Sequence, residues 1–391
     1  MGDKDPVDQP FGDIPLFREL QRLLTSSSGP INLEIAGQAA GGVISQAGPE
    51  SSPTPEAIRA FSEGVRSAEV MLAGYTRLSL DEPMQAETLT RRQWAEATLA
   101  SWRWLLERLA TRFTGEFGRV GEAMAPPAEG QGEGSPTAAM MGQVGPLLLG
   151  LQAGQLIGSL ATESLSRYYI PIPRDDEGRL FVVHANAEKV ARDYGFAPDD
   201  LWSWLAVHEA ARHLVFVAVA WAQRYYRGLV TEVVDSIEID MAGLERRLVE
   251  LQSAGMEALQ EGAASELLPV AHTERHALAL GRVRSFVALL EGYSSHAAGV
   301  VLAEILEDSG RVDEAMARHR ASSSDGQTAL AGLLGISFDR ALETSGATFC
   351  AAVTQLKGLG VLNRVWDAPD NLPSPEEIRD PFKWMERVAP D

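Results

Sequence analysis

Apolar residues recur at helical spacing along most of the chain. Over residues 14–24 and 31–40 they fall three and four positions apart, which predicts two helices. Gly48, Pro49, Ser51, Ser52, Pro53 and Pro55 then break the pattern, so 45–55 reads as a flexible loop. Residues 57–78 and 88–117 predict two longer helices, the second carrying Trp94, Trp102 and Trp104 among charged residues. The stretch 125–136, rich in Pro, Gly and Glu, reads as a second flexible connection. Helical spacing returns over 198–229, 233–261, 273–306 and 311–318, and 358–390 reads as short helical turns interrupted by Pro369, Pro373, Pro375 and Pro381. Aromatic and β-branched runs at 168–173 and 179–183 flank an Asp/Gly turn and predict a small β-hairpin, with Pro171 and Pro173 confining its first strand to an edge. No repeat of 20 to 50 residues and no βαβ alternation is present, so the expected fold is mainly α, a multi-helix body with one small hairpin.

One segment qualifies this picture. Residues 135–162 carry no charge and are long enough to cross a bilayer. Gln143, Gln152, Gln155 and Pro146 argue against a span, and Gly150, Gly154 and Gly158 form one smooth helical face suited to close backbone packing. The segment reads as a buried helix of a soluble protein, and no membrane span is expected.

Composition narrows the function classes. The 391 residues allow two or three domains or one large body, and 45% hydrophobic with 23% charged residues excludes disorder for the bulk of the chain. A net charge of −20 argues against nucleic acid as a partner, since phosphate binding needs clustered Lys and Arg. The single cysteine, Cys350, excludes an internal disulfide and any CxxC metal motif, and its apolar surroundings read as core. The acidic start at Met1 lacks the features of an export signal, so a cytoplasmic location is the expectation.

Candidate chemistry concentrates in 204–216. His208 and Glu209 begin the pattern HExxH, in which two histidines four residues apart, about 40° around a helix, converge on zinc while the glutamate acts on its bound water. Position 212 is arginine, and the next histidine, His213, is turned about 140° from His208, too far to share a tetrahedral zinc. From the residues alone, a structural His–Glu pair leads over a metal site. His272 and His276 have ligand spacing but follow Pro269 at a helix start, where an exposed first turn capped by Thr273 or His272 is the expectation. Trp202, Trp204 and Trp221 read as packing residues, and the cluster Arg318, His319, Arg320 as a solvated helix end or an anion contact.

The His208 helix, taken with the tail 360–373, the run Glu377-Ile378-Arg379-Asp380-Pro381 and Trp384, resembles the zincin-like metallopeptidases of type 2. This is a bacterial family assigned as hydrolases that includes proteins associated with coenzyme F420 biosynthesis. The likeness extends to 11–17, 29–36, the expected hairpin at 169–183 and Leu290-Glu291-Gly292. It implies a single zincin-like helical domain over 1–391, zinc as cofactor where the site functions, and hydrolysis of a peptide or small-molecule substrate. Residue by residue, it implies His208 as first metal ligand, Glu209 as catalytic base and Glu291 as the downstream ligand; Arg212 stands where the second histidine belongs, and Tyr293 where the family tends to have histidine. Two readings follow: a metallohydrolase using these residues, with a further ligand such as His296, or a catalytically inactive binding or regulatory scaffold with an Arg212 to glutamate ion pair in place of zinc and no cofactor.

Overall fold

The computed structural model describes residues 29–124, 136–238, 273–322, 325–335 and 340–390. The expected helices at 14–24 and over most of 233–261, and the connection at 125–135, lie outside the described residues.

The chain enters through a pair of helices held at backbone distance. Helix α1 (Leu33–Gln46) is capped by Asn32, whose side chain accepts from the amides of Glu34 and Ile35 at 3.1 and 3.0 Å. It lies against α5 (Pro136–Ala161), the uncharged segment. A Cβ placed on Gly150 or Gly154 would stand 2.3 Å from the carbonyl oxygen of Asn32 or Ala36, and on Gly158 it would meet Val43 at 2.7 Å. The glycine repeat therefore serves contact between helices, as its spacing suggests.

Helix α2 (Pro55–Thr76), capped by Thr54, buries the stripe Phe61, Val65, Ala68 and Leu72. The predicted helix over 88–117 is divided. Ala86–Leu89 forms strand β1, a Thr90/Gln93 capping box starts α3 (Arg91–Ser101), and the chain turns at Trp102 into α4 (Arg103–Met124).

The expected hairpin does not form. Strand β2 (Leu180–Val183) pairs in parallel with β1, Ala86 opposite Leu180 and Leu89 opposite Val183. On its other side a single antiparallel bridge joins Ser166 to Val182. Residues 168–173 are in no strand. Pro171 and Pro173 have no amide to donate, and the Tyr168 amide is committed to the Glu209 carboxylate at 2.9 Å. The Asp/Gly turn is real, with Gly178 at φ +76° and Asp176 accepting from its amide at 3.0 Å.

After α6 (His184–Tyr194) come α7 (Pro198–Ala218) and α8 (Ala222–Asp235), which bend by 95° at 219–221 where one continuous helix was expected. Helix α9 (Glu274–Ile305) is the one described helix long and apolar enough to cross a membrane, and 72% of its most apolar window is buried inside the protein. It is followed by α10 (Ser309–Ala321), α11 (Asp325–Leu334) and α12 (Arg340–Lys357). Helices α9 and α12 touch backbone to backbone at Gly292 and Gly346. Short turns and the terminal helices α13 (Pro375–Arg379) and α14 (Pro381–Val388) form a strap. The hydrophobic interior forms two clusters, and both α7 and α9 contribute to each: Val215 and Leu289 to one, Leu205 and Ala297 to the other. The two central helices thus face one another along the middle of the molecule.

Candidate functional site

Helix α7 is buried nearly all round, so any polar side chain on it needs a partner inside the protein. His208, Glu209, Arg212 and His213 are all at most 5% exposed. Arg212 reaches across to α9 and grips Glu291 through two hydrogen bonds, Nε to Oε1 at 2.8 Å and Nη2 to Oε2 at 2.6 Å. Its Nη1 donates to the carbonyl of His208 at 3.2 Å and lies 3.7 Å from Glu209 Oε1. The guanidinium therefore sits between two carboxylates.

Glu209 is held from the other side by the segment that failed to become a strand. Ser166 Oγ donates to Oε1 at 2.8 Å and the Tyr168 amide to Oε2 at 2.9 Å, so both oxygens are engaged. Burial raises its carboxyl above the ordinary range against the opposing pull of Arg212. For Glu291 burial pushes the same way, but the charge and hydrogen bonds of Arg212 override it and hold the carboxyl low. Arg212 itself is favoured in its charged form, because Glu291 and Glu209 outweigh its burial.

His208 lies against Trp204, ring centroids 3.9 Å apart. Its Nε2 is 3.7 Å from Asp313 Oδ1 on α10, beyond hydrogen-bond length, and neither ring nitrogen has a hydrogen-bond partner. Burial drives its pKa down to about 4, so the imidazole is neutral at pH 7. Asp313 instead accepts from Trp204 Nε1 at 2.6 Å. Arg320, also on α10, pairs with Glu343 of α12 at 2.9 Å, approaches Glu291 at 3.9 Å and lies 5.4 Å over the Trp204 ring. Beside them lies a cavity of about 60 Å³ lined by Ser166, Tyr169, Trp204, Glu209, Arg212 and Arg320 among others.

Structure thus brings His208, Glu209 and Glu291 into one buried cluster with Arg212 at its centre. Other noted residues fall elsewhere. His213 faces away, its Nδ1 2.8 Å from the Tyr168 hydroxyl, and burial followed by the nearby Arg167 charge lowers its pKa to about 4. His296 shares a 2.9 Å hydrogen bond with Tyr75, and Tyr293 donates to Asn363 at 2.9 Å. Thr273 caps α9 as expected, accepting from the His276 amide at 3.2 Å, yet His276 is buried and bonded to Ser236 at 2.9 Å rather than exposed. His272 lies outside the described residues. Cys350 is buried. Trp202 packs on His184 and Trp221 donates to the Trp366 carbonyl, whereas Trp204 is part of the site. Of the cluster at the end of α10, Arg318 is exposed beside Glu314, but Arg320 turns inward. Ser166, Asp313 and Glu343 carried no local pattern that marked them.

A zinc ion does not fit these residues. Both oxygens of Glu291, the would-be ligand, are taken by a permanent cation that would repel a dication. Among the described residues no three His, Cys, Asp or Glu side chains converge in a way that could hold a metal, whereas a catalytic zinc has about three protein ligands.

Comparison with known proteins extends the sequence resemblance. The sequence profile of the zincin-like metallopeptidases matches residues 31–385. A crystal structure from Chloroflexus aurantiacus, described as a "putative hydrolase with a novel fold", superimposes with a TM-score of 0.65 at 22% identity, over 92% of this chain and 99% of that one. No curated protein matches the chain.

Proposed function

Because the chain belongs to the zincin-like metallopeptidase family, we propose that it is a metal-free member: a binding or regulatory scaffold in which the Arg212 guanidinium supplies the positive charge that zinc supplies in a hydrolase. One observation carries this reading, the two-pronged Arg212–Glu291 pair at 2.8 and 2.6 Å with Glu209 on its flank. Hydrolysis of the zincin kind asks three things of the protein: ligands for the metal, a base free to take a proton from water, and space for a carbonyl substrate. Here the ligand candidate Glu291 is neutralised by a side chain. The base candidate Glu209 has both oxygens occupied by Ser166 and Tyr168. The cavity, about 60 Å³, is small beside the ~300–1,000 Å³ of an ordinary substrate site. What remains is a buried floor in which one guanidinium lies between two carboxylates, beneath the Trp204 ring.

The test is a gain of binding. Arg212→His places a second imidazole one turn from His208, on the side of the helix that faces Glu291, and removes the competing cation. The variant is expected to take up one zinc per chain. Failure to bind zinc would mean that Arg212 is not what stands between this scaffold and a metal, and the reading would fall.

A further inference from the structure

The cavity is far smaller than the ~300–1,000 Å³ of an ordinary ligand site, and Met316 and Arg320 of α10 form part of its roof, beside residues of α11 and α12. Helix α10 is weakly anchored by apolar packing: over its described side chains, 309–320, only Val312 and Met316 are buried hydrophobics. The rest of its attachment is polar. Asp313 accepts from Trp204 Nε1, Arg320 pairs with Glu343, and Tyr169 contacts His319 at 3.3 Å. Elements held by few apolar contacts and by rim-exposed polar ones open locally at free energies below that of global unfolding.

The Asp313 contact also shows what the opened site would recognise. Its carboxylate accepts from an indole N–H at 2.6 Å, with a buried imidazole nitrogen that has no hydrogen-bond partner 3.7 Å away. Both groups belong to α7, which forms the floor, while Asp313 belongs to the roof and is 46% exposed at the rim. We propose that α10 is a lid over the former metal site, latched by its own Asp313 carboxylate, and that a ligand carboxylate takes the place of Asp313 on Trp204 and His208 when the lid lifts. The proposal rests on the metal-free reading, since a zinc ion would claim His208.

Thiol labelling tests it in the full chain. Cys350, on α12 and buried in the core, is expected to react only on global unfolding and provides an internal reference. A cysteine introduced by Met316→Cys on the inner face of α10 reports lid opening, and Val312→Cys reports the same motion should the first variant fail to fold. Position 316 is expected to react at least about ten-fold faster than Cys350. Replacing chloride by about 0.2 M acetate at constant ionic strength is expected to raise the rate at 316 at least two-fold by trapping the open state, and to leave Cys350 unchanged. Asp313→Asn in the same background is expected to speed labelling at 316 without acetate. Equal rates at the two thiols would overturn the lid, and a rate at 316 indifferent to acetate would overturn the carboxylate subsite. Zinc content of the same samples separates the two ideas: equal thiol rates in a zinc-free protein refute the lid alone, whereas one zinc per chain refutes the metal-free reading whatever the rates.

Discussion

Arg212 is the residue on which the interior is balanced. Removing one member of a buried ion pair leaves the other charged and unsolvated, which costs about 3–5 kcal/mol, whereas replacing both by apolar groups of similar size is often close to neutral. Arg212→Met is therefore expected to lower unfolding free energy by about 3–5 kcal/mol, and Arg212→Met combined with Glu291→Leu to recover most of that loss; denaturant titration of the parent and the two variants checks both. A double variant no more stable than the single one would mean that the pair is not the unit described. His213 supplies a pH signature. Its folded pKa is about 4, against about 6.5 in an unfolded chain, so between those values the unfolded state binds the extra proton. Its contribution is complete above about pH 6.5 and is lost as pH falls towards 4. His213→Gln is expected to flatten the fall in melting temperature over that window. A slope identical to that of the parent protein would refute the assignment. At this scale the sequence was informative where a motif had a fixed spacing. Arg212 and Glu291 could be paired from the motif and the family likeness, but Ser166, Asp313 and Glu343 are brought to the site by long-range folding that no local pattern encodes.

Among the elements, glycine contacts and the terminal strap decide how the central helices meet. A Cβ on Gly346 would lie 1.7 Å from the Ala288 carbonyl oxygen, so Gly346→Ala must push α9 and α12 apart. Overpacking of this kind typically costs about 1–3 kcal/mol, and Gly346→Ala is expected to reach the upper part of that range. The same substitution at Gly299, which has nothing within 4 Å, is the control that should not lose stability. The strap works through Asn363, which accepts from Tyr293 on α9 and donates to the Thr76 carbonyl at 2.7 Å, where α2 ends in a left-handed Arg77. Trp384 Nε1 donates to the Asn371 carbonyl, and Arg387 clasps Glu377. These bonds give the tail motif a bracing role. Asn363→Ala is expected to destabilise by about 1–3 kcal/mol through the polar groups it strands, while Arg387→Gln, at the exposed rim, costs less. The glycine stripe of α5 was legible because a four-residue period has one geometric meaning. The hairpin was misread because residues 168–173 have strand composition but spend their hydrogen bonds elsewhere, the Tyr168 amide on Glu209 and the Pro171 carbonyl on Tyr226.

For the whole molecule, the organising fact is that α7 and α9 serve two hydrophobic clusters at once and carry the charged groups between them. Apolar stripes and glycine contacts set the fold, which is shared with a solved structure at 22% identity, and a few side chains on two helices set the chemistry. The helical character of the body followed from periodicity, but the bend between α7 and α8 and the break at Trp102 did not, because neither has a proline or a glycine to announce it. The central claim is that an arginine charge has replaced a metal charge, and metal analysis of the purified, unmodified protein after incubation with excess zinc tests it most directly. The account predicts less than one tenth of a zinc per chain after removal of free metal; a stable content of one zinc per chain would contradict it.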